Sequence, residues 1–111
     1  MKFTSTLNRD RLFRRAYNKG VSAVESCLVV YARANRFDSN RLGFTVTSKV
    51  GKAVTRNRVR RRLREIYRLH EDGLKPGFDI VIVARARAAR VSYQRLEEEF
   101  LAACRKLGMT A

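Results

Sequence analysis

Nine basic residues and a single acid lie between positions 49 and 68. The basic residues are Lys49, Lys52, Arg56, Arg58, Arg60, Arg61, Arg62, Arg64 and Arg68, and the acid is Glu65. A solvated helix favours opposite charges four residues apart, whereas Arg60, Arg64 and Arg68 would form one like-charged row. A bound polyanion would offset this repulsion, because guanidinium groups match phosphate oxygens in geometry. A purely solvated helix face, the ordinary explanation of a charge run, is the alternative.

The segment before this predicted helix adds a second indication of phosphate contact. Gly51 lets the backbone approach a ligand closely, and Lys49 and Lys52 flank it. The spacing is not that of a P-loop or of a dinucleotide-binding fingerprint. The segment therefore indicates a phosphate contact without nucleotide hydrolysis.

Three aromatic residues offer a different chemistry, the stacking of unpaired bases. Phe13 and Tyr17 are one helical turn apart and share a face, and Tyr31 lies in a predicted strand. Aromatic faces beside basic side chains stack single-stranded bases. Burial in the core is the competing interpretation, and it is strongest for Phe13, because the hydroxyls of Tyr17 and Tyr31 favour partial exposure.

No set of catalytic or zinc-binding residues emerges. The only histidine, His70, falls on the apolar stripe of the long predicted helix, and Glu97–Glu99 are typical of a helix start. Cys27 and Cys104 lack any metal-binding spacing and are predicted to be buried, reduced thiols. If the protein supports a reaction, another molecule is expected to supply the reactive groups.

Composition points to the same class of partner. The 111 residues carry 25 Lys and Arg against 10 Asp and Glu, a net charge of +15, and are 45% apolar. A basic excess of this size is typical of nucleic-acid binding, with an anionic membrane surface as the second interpretation. The sequence has no apolar stretch that would span a bilayer and no secretory signal, so we expect a cytoplasmic protein with one RNA-binding domain over residues 1–111.

Hydrophobic periodicity predicts an α+β sandwich, in which three helices cover a mixed sheet of about four strands. Helices are predicted at about 8–18 with Asn8 as N-cap, at about 56–71 with Thr55 as cap, and from Ser92 to about Leu107. Strands are predicted at 27–32, 42–47 and 78–84, with a further edge strand at 21–24.

The segment 42–65, centred on Arg56-Asn57-Arg58, closely resembles the signature of the bacterial ribonuclease P protein component. The flanks agree, since Phe13 and Tyr17 precede Gly20 as in that family and the segment 77–85 is similar to its last strand. The resemblance implies that an RNA subunit is the catalyst and holds most of the required Mg²⁺. The protein would bind that RNA and the single-stranded 5′ leader of precursor tRNA, with no metal of its own and no obligate protein partner.

The resemblance also implies roles for particular residues. The surface contacting catalytic RNA would comprise Lys49, Gly51, Lys52, Ala53, Arg56, Asn57, Arg58, Arg60, Arg61, Arg62, Arg64 and Arg68. The leader cleft would comprise Phe13, Tyr17, Tyr31, Arg85 and Arg87. Tyr17 departs from the phenylalanine of many relatives, which preserves stacking and adds a hydroxyl. The fold of the family further implies a left-handed β-α-β crossover, against the general right-handed rule.

Two other functions remain as alternatives. A general basic or ribosome-associated RNA-binding protein would satisfy the charge alone, and it would not distinguish precursor from mature tRNA. A stand-alone nuclease would need a catalytic set that the sequence does not display.

Overall fold

The protein is described by a computed structural model that covers residues 4–7 and 10–111. The strands are β1 (Thr4–Thr6), β2 (Val21–Val24), β3 (Leu28–Ala34), β4 (Asn40–Thr45) and β5 (Phe78–Ala84). The helices are α1 (Asp10–Lys19), α2 (Ala53–His70) and α3 (Tyr93–Lys106), with 3₁₀ turns at Glu71–Gly73 and Ala86–Ala89.

The five strands form one mixed sheet in the order β1-β4-β5-β3-β2. β4 runs parallel to both β1 and β5, whereas β3 is antiparallel to β5 and β2. β5 is central and lies between helices on both faces, which explains its nearly continuous apolar sequence. The α+β class predicted from periodicity is confirmed.

α2 and α3 cover one face of the sheet. The stripe of Val59, Leu63, Ile66 and Tyr67 on α2 is fully buried, and it packs with residues such as Ile80 of β5 and Phe100 of α3 in the main core. Because these four residues occupy one side of α2, its remaining side chains point away from the core.

α1 covers the opposite face. Leu12 and Ala16 are buried against Val81 in a second, smaller core, and Phe13, Tyr31 and Val83 pack at its edge. The side chains of β3, β4 and β5 alternate between the two faces, so the sheet separates the surroundings of α1 from those of α2.

The crossover from β4 through α2 to β5 is left-handed. Leu42 of β4 points into the core beneath α2, and its carbonyl accepts a 2.8 Å hydrogen bond from the Leu7 amide on the β1 side. When a strand of L residues runs upward from its N-terminus and a side chain faces the viewer, the carbonyl of that residue points to the viewer's right. Seen from α2, β1 therefore lies to the right of β4 and β5 to its left. The left-handed form implied by the resemblance is confirmed, against a general rule that holds in about 98% of cases.

The prediction of four strands missed β1, a Thr-Ser-Thr segment with no apolar side chain. Polar contacts hold this strand: Thr4 Oγ1 lies 2.9 Å from the Tyr67 hydroxyl and donates to the Glu71 carboxylate. The segments 78–84 and 21–24 are confirmed as β5 and β2 at the predicted bounds.

The predicted starts of the helices have different outcomes. Ser92 is confirmed as the N-cap of α3, since its hydroxyl accepts a hydrogen bond from the Arg95 amide at 3.1 Å. The prediction that Thr55 caps α2 is wrong, because the helix begins at Ala53 with Lys52 as N-cap and no side-chain bond to the helix. Asn8, the predicted cap of α1, lies outside the described residues.

Glu99 corrects the interpretation of Glu97–Glu99 as simple helix-start residues. Its side chain is buried and accepts hydrogen bonds from the Cys27 amide at 2.7 Å, the Ser26 hydroxyl at 2.5 Å and Arg95 Nε at 2.7 Å. Burial alone would raise the pKa of this carboxyl, but the hydrogen bonds outweigh it and lower the pKa to about 2. Glu99 thus ties α3 to the β2–β3 turn.

The two cysteines are free and buried, as predicted. Burial raises the pKa of the Cys104 thiol to about 12 and also raises that of Cys27. His70 is half-buried, with its Nε2 atom 2.9 Å from Glu97 Oε2. None of the helices among the described residues has the length and apolar character needed to cross a membrane.

Candidate RNA interface

The outward side of α2 carries four of the nine basic residues noted in the sequence. It presents Asn57, Arg60, Arg61, Arg64 and Arg68, which we call the α2 surface. Among the side chains that the structure describes, one ion pair forms within α2, between Arg68 and Glu65 at 2.6 Å. The like-charged side chains thus face solvent with little neutralisation from this chain's own carboxylates.

Three other arginines of α2 are held by backbone carbonyls of this chain. Arg56 Nη1 donates to the Gly51 carbonyl at 2.9 Å, Arg58 Nη2 to that of Ala89 at 3.1 Å, and Arg62 Nη1 to that of Val91 at 3.4 Å. Sequence reasoning grouped these arginines with the exposed ones. Their position on the flanks of the buried stripe gives them a structural role that charge alone could not reveal.

The loop before α2 is fixed against its first turn. The Gly51 amide donates to the Ser48 carbonyl at 3.2 Å, and Val50 is buried beneath. Gly51 has φ +149°, a conformation that L side chains rarely adopt. Lys49, Lys52 and Ala53 are consequently exposed at the start of α2, where no acid neutralises the helix dipole.

An aromatic cleft lies on the other face of the sheet, beside α1. The rings of Phe13 and Tyr17 are 6.5 Å apart, and those of Tyr17 and Tyr31 meet edge to face at 4.9 Å. The Tyr17 hydroxyl lies 2.8 Å from Thr45 Oγ1, and Tyr17 remains 36% exposed. Phe13 and Tyr31 are half-buried, so the structure gives them both the core contacts and the exposed edges that the sequence left as alternatives.

A glycine makes room for the Phe13 ring. A Cβ at Gly43 of β4 would lie 2.4 Å from Phe13 Cζ, too close for both to stay in place. We expect Gly43→Ala to displace the ring and to lower the free energy of unfolding by about 1–3 kcal/mol through overpacking. Gly73→Ala is the matched control, since nothing lies within 4 Å of its added Cβ. Urea unfolding of both variants tests this, and equal stabilities would contradict it.

The structure does not place the other two residues assigned to the cleft, Arg85 and Arg87, in its lining. Arg85 directly follows β5, and its Nη1 donates to the Glu25 carbonyl at 2.9 Å. Arg87 is exposed in the following 3₁₀ turn. The structure instead lines the cleft with Arg14 and Thr45 beside Phe13 and Tyr17. Arg14 adjoins Phe13 in the sequence, and this adjacency was the only available signal for it.

A mixed sheet with an arginine-covered helix on one face and an aromatic cleft on the other defines a small RNA-binding protein. The family model described as Ribonuclease P matches residues 1–108. The chain belongs to the ribonuclease P protein family. It is thus the protein subunit of a tRNA 5′-maturation ribonucleoprotein, and the RNA subunit of that enzyme is its partner.

Individual relatives agree along most of the chain. The ribonuclease P protein component of Alkaliphilus oremlandii is 39% identical over 109 residues, covering 98% of this chain and 96% of that protein. The same component from Clostridioides difficile is 42% identical over 96 residues, covering 86% of this chain and 84% of that protein.

Solved structures show the same fold. The RNase P protein of Staphylococcus aureus has a TM-score of 0.87 at 27% identity and covers 98% of both chains. That of Thermotoga maritima has a TM-score of 0.80 at 34% identity, covering 88% of this chain and 93% of its own.

Proposed function

We propose that this protein binds two RNAs on opposite faces of its sheet. The α2 surface and the adjoining loop bind the catalytic RNA, and the aromatic cleft binds the single-stranded 5′ leader of precursor tRNA. The separation of the two surfaces by the sheet is the observation that carries the proposal. Because the surfaces do not overlap, one protein can hold catalyst and substrate together.

The proposed contact with catalytic RNA is mainly electrostatic. Arg60, Arg61 and Arg64 project from α2 without a carboxylate partner among the described side chains. Lys49 and Lys52 extend the positive charge to the start of the helix. Neutralising phosphates with such groups releases condensed counterions, which favours binding at low salt. Arg56, Arg58 and Arg62 hold the loop and the 3₁₀ turn that frame this surface.

The proposed contact with the leader relies on stacking. Unpaired bases can stack on the solvent-accessible parts of the Phe13, Tyr17 and Tyr31 rings, with Arg14 beside them for phosphate. Arg85 and Arg87 would meet the strand outside the lining of the cleft. Paired bases in an acceptor stem do not offer free faces, so the cleft favours a single-stranded leader over mature tRNA.

We further propose that the RNA subunit supplies the catalytic groups and holds the Mg²⁺ on which they depend, while this chain positions the leader. The α2 surface is positive, and the one carboxylate of α2, that of Glu65, forms an ion pair with Arg68. Such a surface repels a divalent cation.

The proposed place of action is the cytoplasm, where bacterial transcripts are made.

Reconstitution with ribonuclease P RNA tests the proposal. At low Mg²⁺, adding the protein should raise precursor-tRNA cleavage and should tighten binding of precursor relative to mature tRNA. Equal affinity for the two tRNAs would favour a general RNA-binding protein instead. Cleavage by the protein without RNA would contradict the division of labour.

Tyr17 provides the sharpest single test of the cleft. We expect Tyr17→Ala to weaken binding of leader-bearing tRNA by the holoenzyme about tenfold, since stacking contributes about 1–3 kcal/mol per base. Tyr17→Phe is the control, because it keeps the ring and loses only the hydrogen bond to Thr45. An equal loss for mature tRNA, or equal losses in the two variants, would count against stacking at this position.

A further inference from the structure

A basic groove runs along the flank of α1 that faces away from the aromatic cleft. Its lining includes Arg11, Arg15, Lys19, Arg33, Arg36 and Phe37, which we call the α1 groove. Arg11, Arg15 and Lys19 follow one another at four-residue intervals, so they form a row on α1. Arg33 comes from β3, and Arg36 and Phe37 from the turn after it.

The charge of the α1 groove is not neutralised by the carboxylates of the described side chains. Asp79 of β5 stands directly opposite Arg33 in the strand pairing, but Arg41 binds both of its oxygens at 2.7 Å and Asn35 adds a bond at 3.1 Å. Arg41 also lines the groove, and among the described side chains it is the only one of the six lining cations that forms an ion pair, which leaves the other five without a carboxylate partner. Five like charges in one concave surface repel one another unless an anion binds there.

An exposed aromatic ring stands beside these charges. Phe37 is 57% exposed, and the Arg41 guanidinium lies 5.0 Å from its ring centroid. The Arg41 guanidinium lies over one face of the ring, and the exposed remainder can stack on a nucleobase. Cations with one open ring match single-stranded RNA better than a duplex, whose bases are already stacked.

The position of the groove indicates which RNA strand it meets. It lies on the α1 face of the sheet, whereas the α2 surface lies on the other face. Arg14 lines the aromatic cleft, and Arg11, one helical turn earlier, lines the α1 groove. Exposed arginines therefore connect the cleft with the groove across the solvent side of α1.

We propose that the α1 groove binds the upstream part of the same 5′ leader, after that strand has left the aromatic cleft. Arg11 and Arg15 contact its phosphates, and Phe37 stacks on an unpaired base. This inference rests on the proposed function of the cleft. It adds that leader nucleotides beyond those that fill the cleft raise the affinity of the holoenzyme for precursor tRNA.

The test uses the reconstituted holoenzyme and precursor tRNAs with two leaders, one that only fills the cleft and one extended by an unpaired oligouridine tract. We expect Arg11→Gln with Arg15→Gln to weaken binding of the long-leader substrate about fivefold and to reduce its salt slope by about one unit. Binding of the short-leader substrate should be unchanged. Phe37→Ala should likewise affect only the long leader.

Lys75→Gln with Arg105→Gln is the matched control, since both side chains are exposed and lie away from the groove. The inference is overturned if this control loses as much affinity, if both leaders lose equally, or if only binding to catalytic RNA changes. Failure of the cleft proposal is distinguishable, because wild-type holoenzyme would then show no preference for either precursor over mature tRNA. Melting temperatures of all variants verify that they are folded.

Discussion

Glu99→Gln is expected to lower the free energy of unfolding by about 3 kcal/mol at neutral pH. The carboxylate accepts hydrogen bonds from Ser26, Cys27 and Arg95 while it is buried. A glutamine of the same size loses the charge and presents a donor to groups that are themselves donors. Buried donors without an acceptor carry a large desolvation cost, which explains why a substitution of one atom has so large an effect.

The pH dependence follows from the depressed pKa of Glu99. The folded-state pKa is about 2, against 4.5 for the free side chain. The ionised carboxylate therefore stabilises the fold above about pH 4.5, and this contribution of about 3 kcal/mol is lost as the pH falls toward 2. The stability difference between wild type and Glu99→Gln should shrink over that range in urea unfolding experiments.

Glu98→Gln is the control for this prediction. Glu98 neighbours Glu99 in the sequence but is exposed, so its substitution should change stability by less than about 0.5 kcal/mol. A stability difference for Glu99→Gln that stayed constant from pH 7 to pH 2 would contradict the argument, because it would show that packing rather than ionisation is responsible.

Arg60→Ala with Arg64→Ala is expected to weaken binding of ribonuclease P RNA by at least about a hundredfold, since bonds to charged groups contribute about 1.5–3 kcal/mol each and two are lost. The slope of log affinity against log salt should fall by about one to two units, as expected for two lost phosphate contacts. Both side chains project outward from α2. The Arg64 guanidinium lies 5.9 Å from the centroid of the Phe44 ring.

The remote pair Lys75→Ala and Arg105→Ala again serves as the control, because it removes the same charge from outside the α2 surface. Filter binding or fluorescence titration at several salt concentrations gives both affinity and slope. An unchanged slope for the α2 variant, or an equal change for the remote pair, would show that the arginine row does not contact phosphate.

Local patterns predicted the parts of this fold that depend on local physics. β5 matched its predicted bounds because a seven-residue, β-branched apolar run that follows Pro76-Gly77 is too short for a helix and fits a strand covered on both faces. Ser92 was identified as a cap because a hydroxyl before a helix accepts a first-turn amide wherever it occurs. The polar β1 escaped detection, since the Tyr67 and Glu71 side chains that hold it lie more than 60 residues away.

By itself, the sequence determined the class of partner and the common helix face of Phe13 and Tyr17, because charge excess and residue spacing are properties of the chain. Only the tertiary structure decided which arginines of α2 are exposed and which are held by backbone carbonyls. It alone placed Gly43 under Phe13, and it revealed that Arg33 and Arg36 join α1 in one groove. The physical reason is that these relations depend on contacts between distant segments, which residue spacing along one chain does not encode.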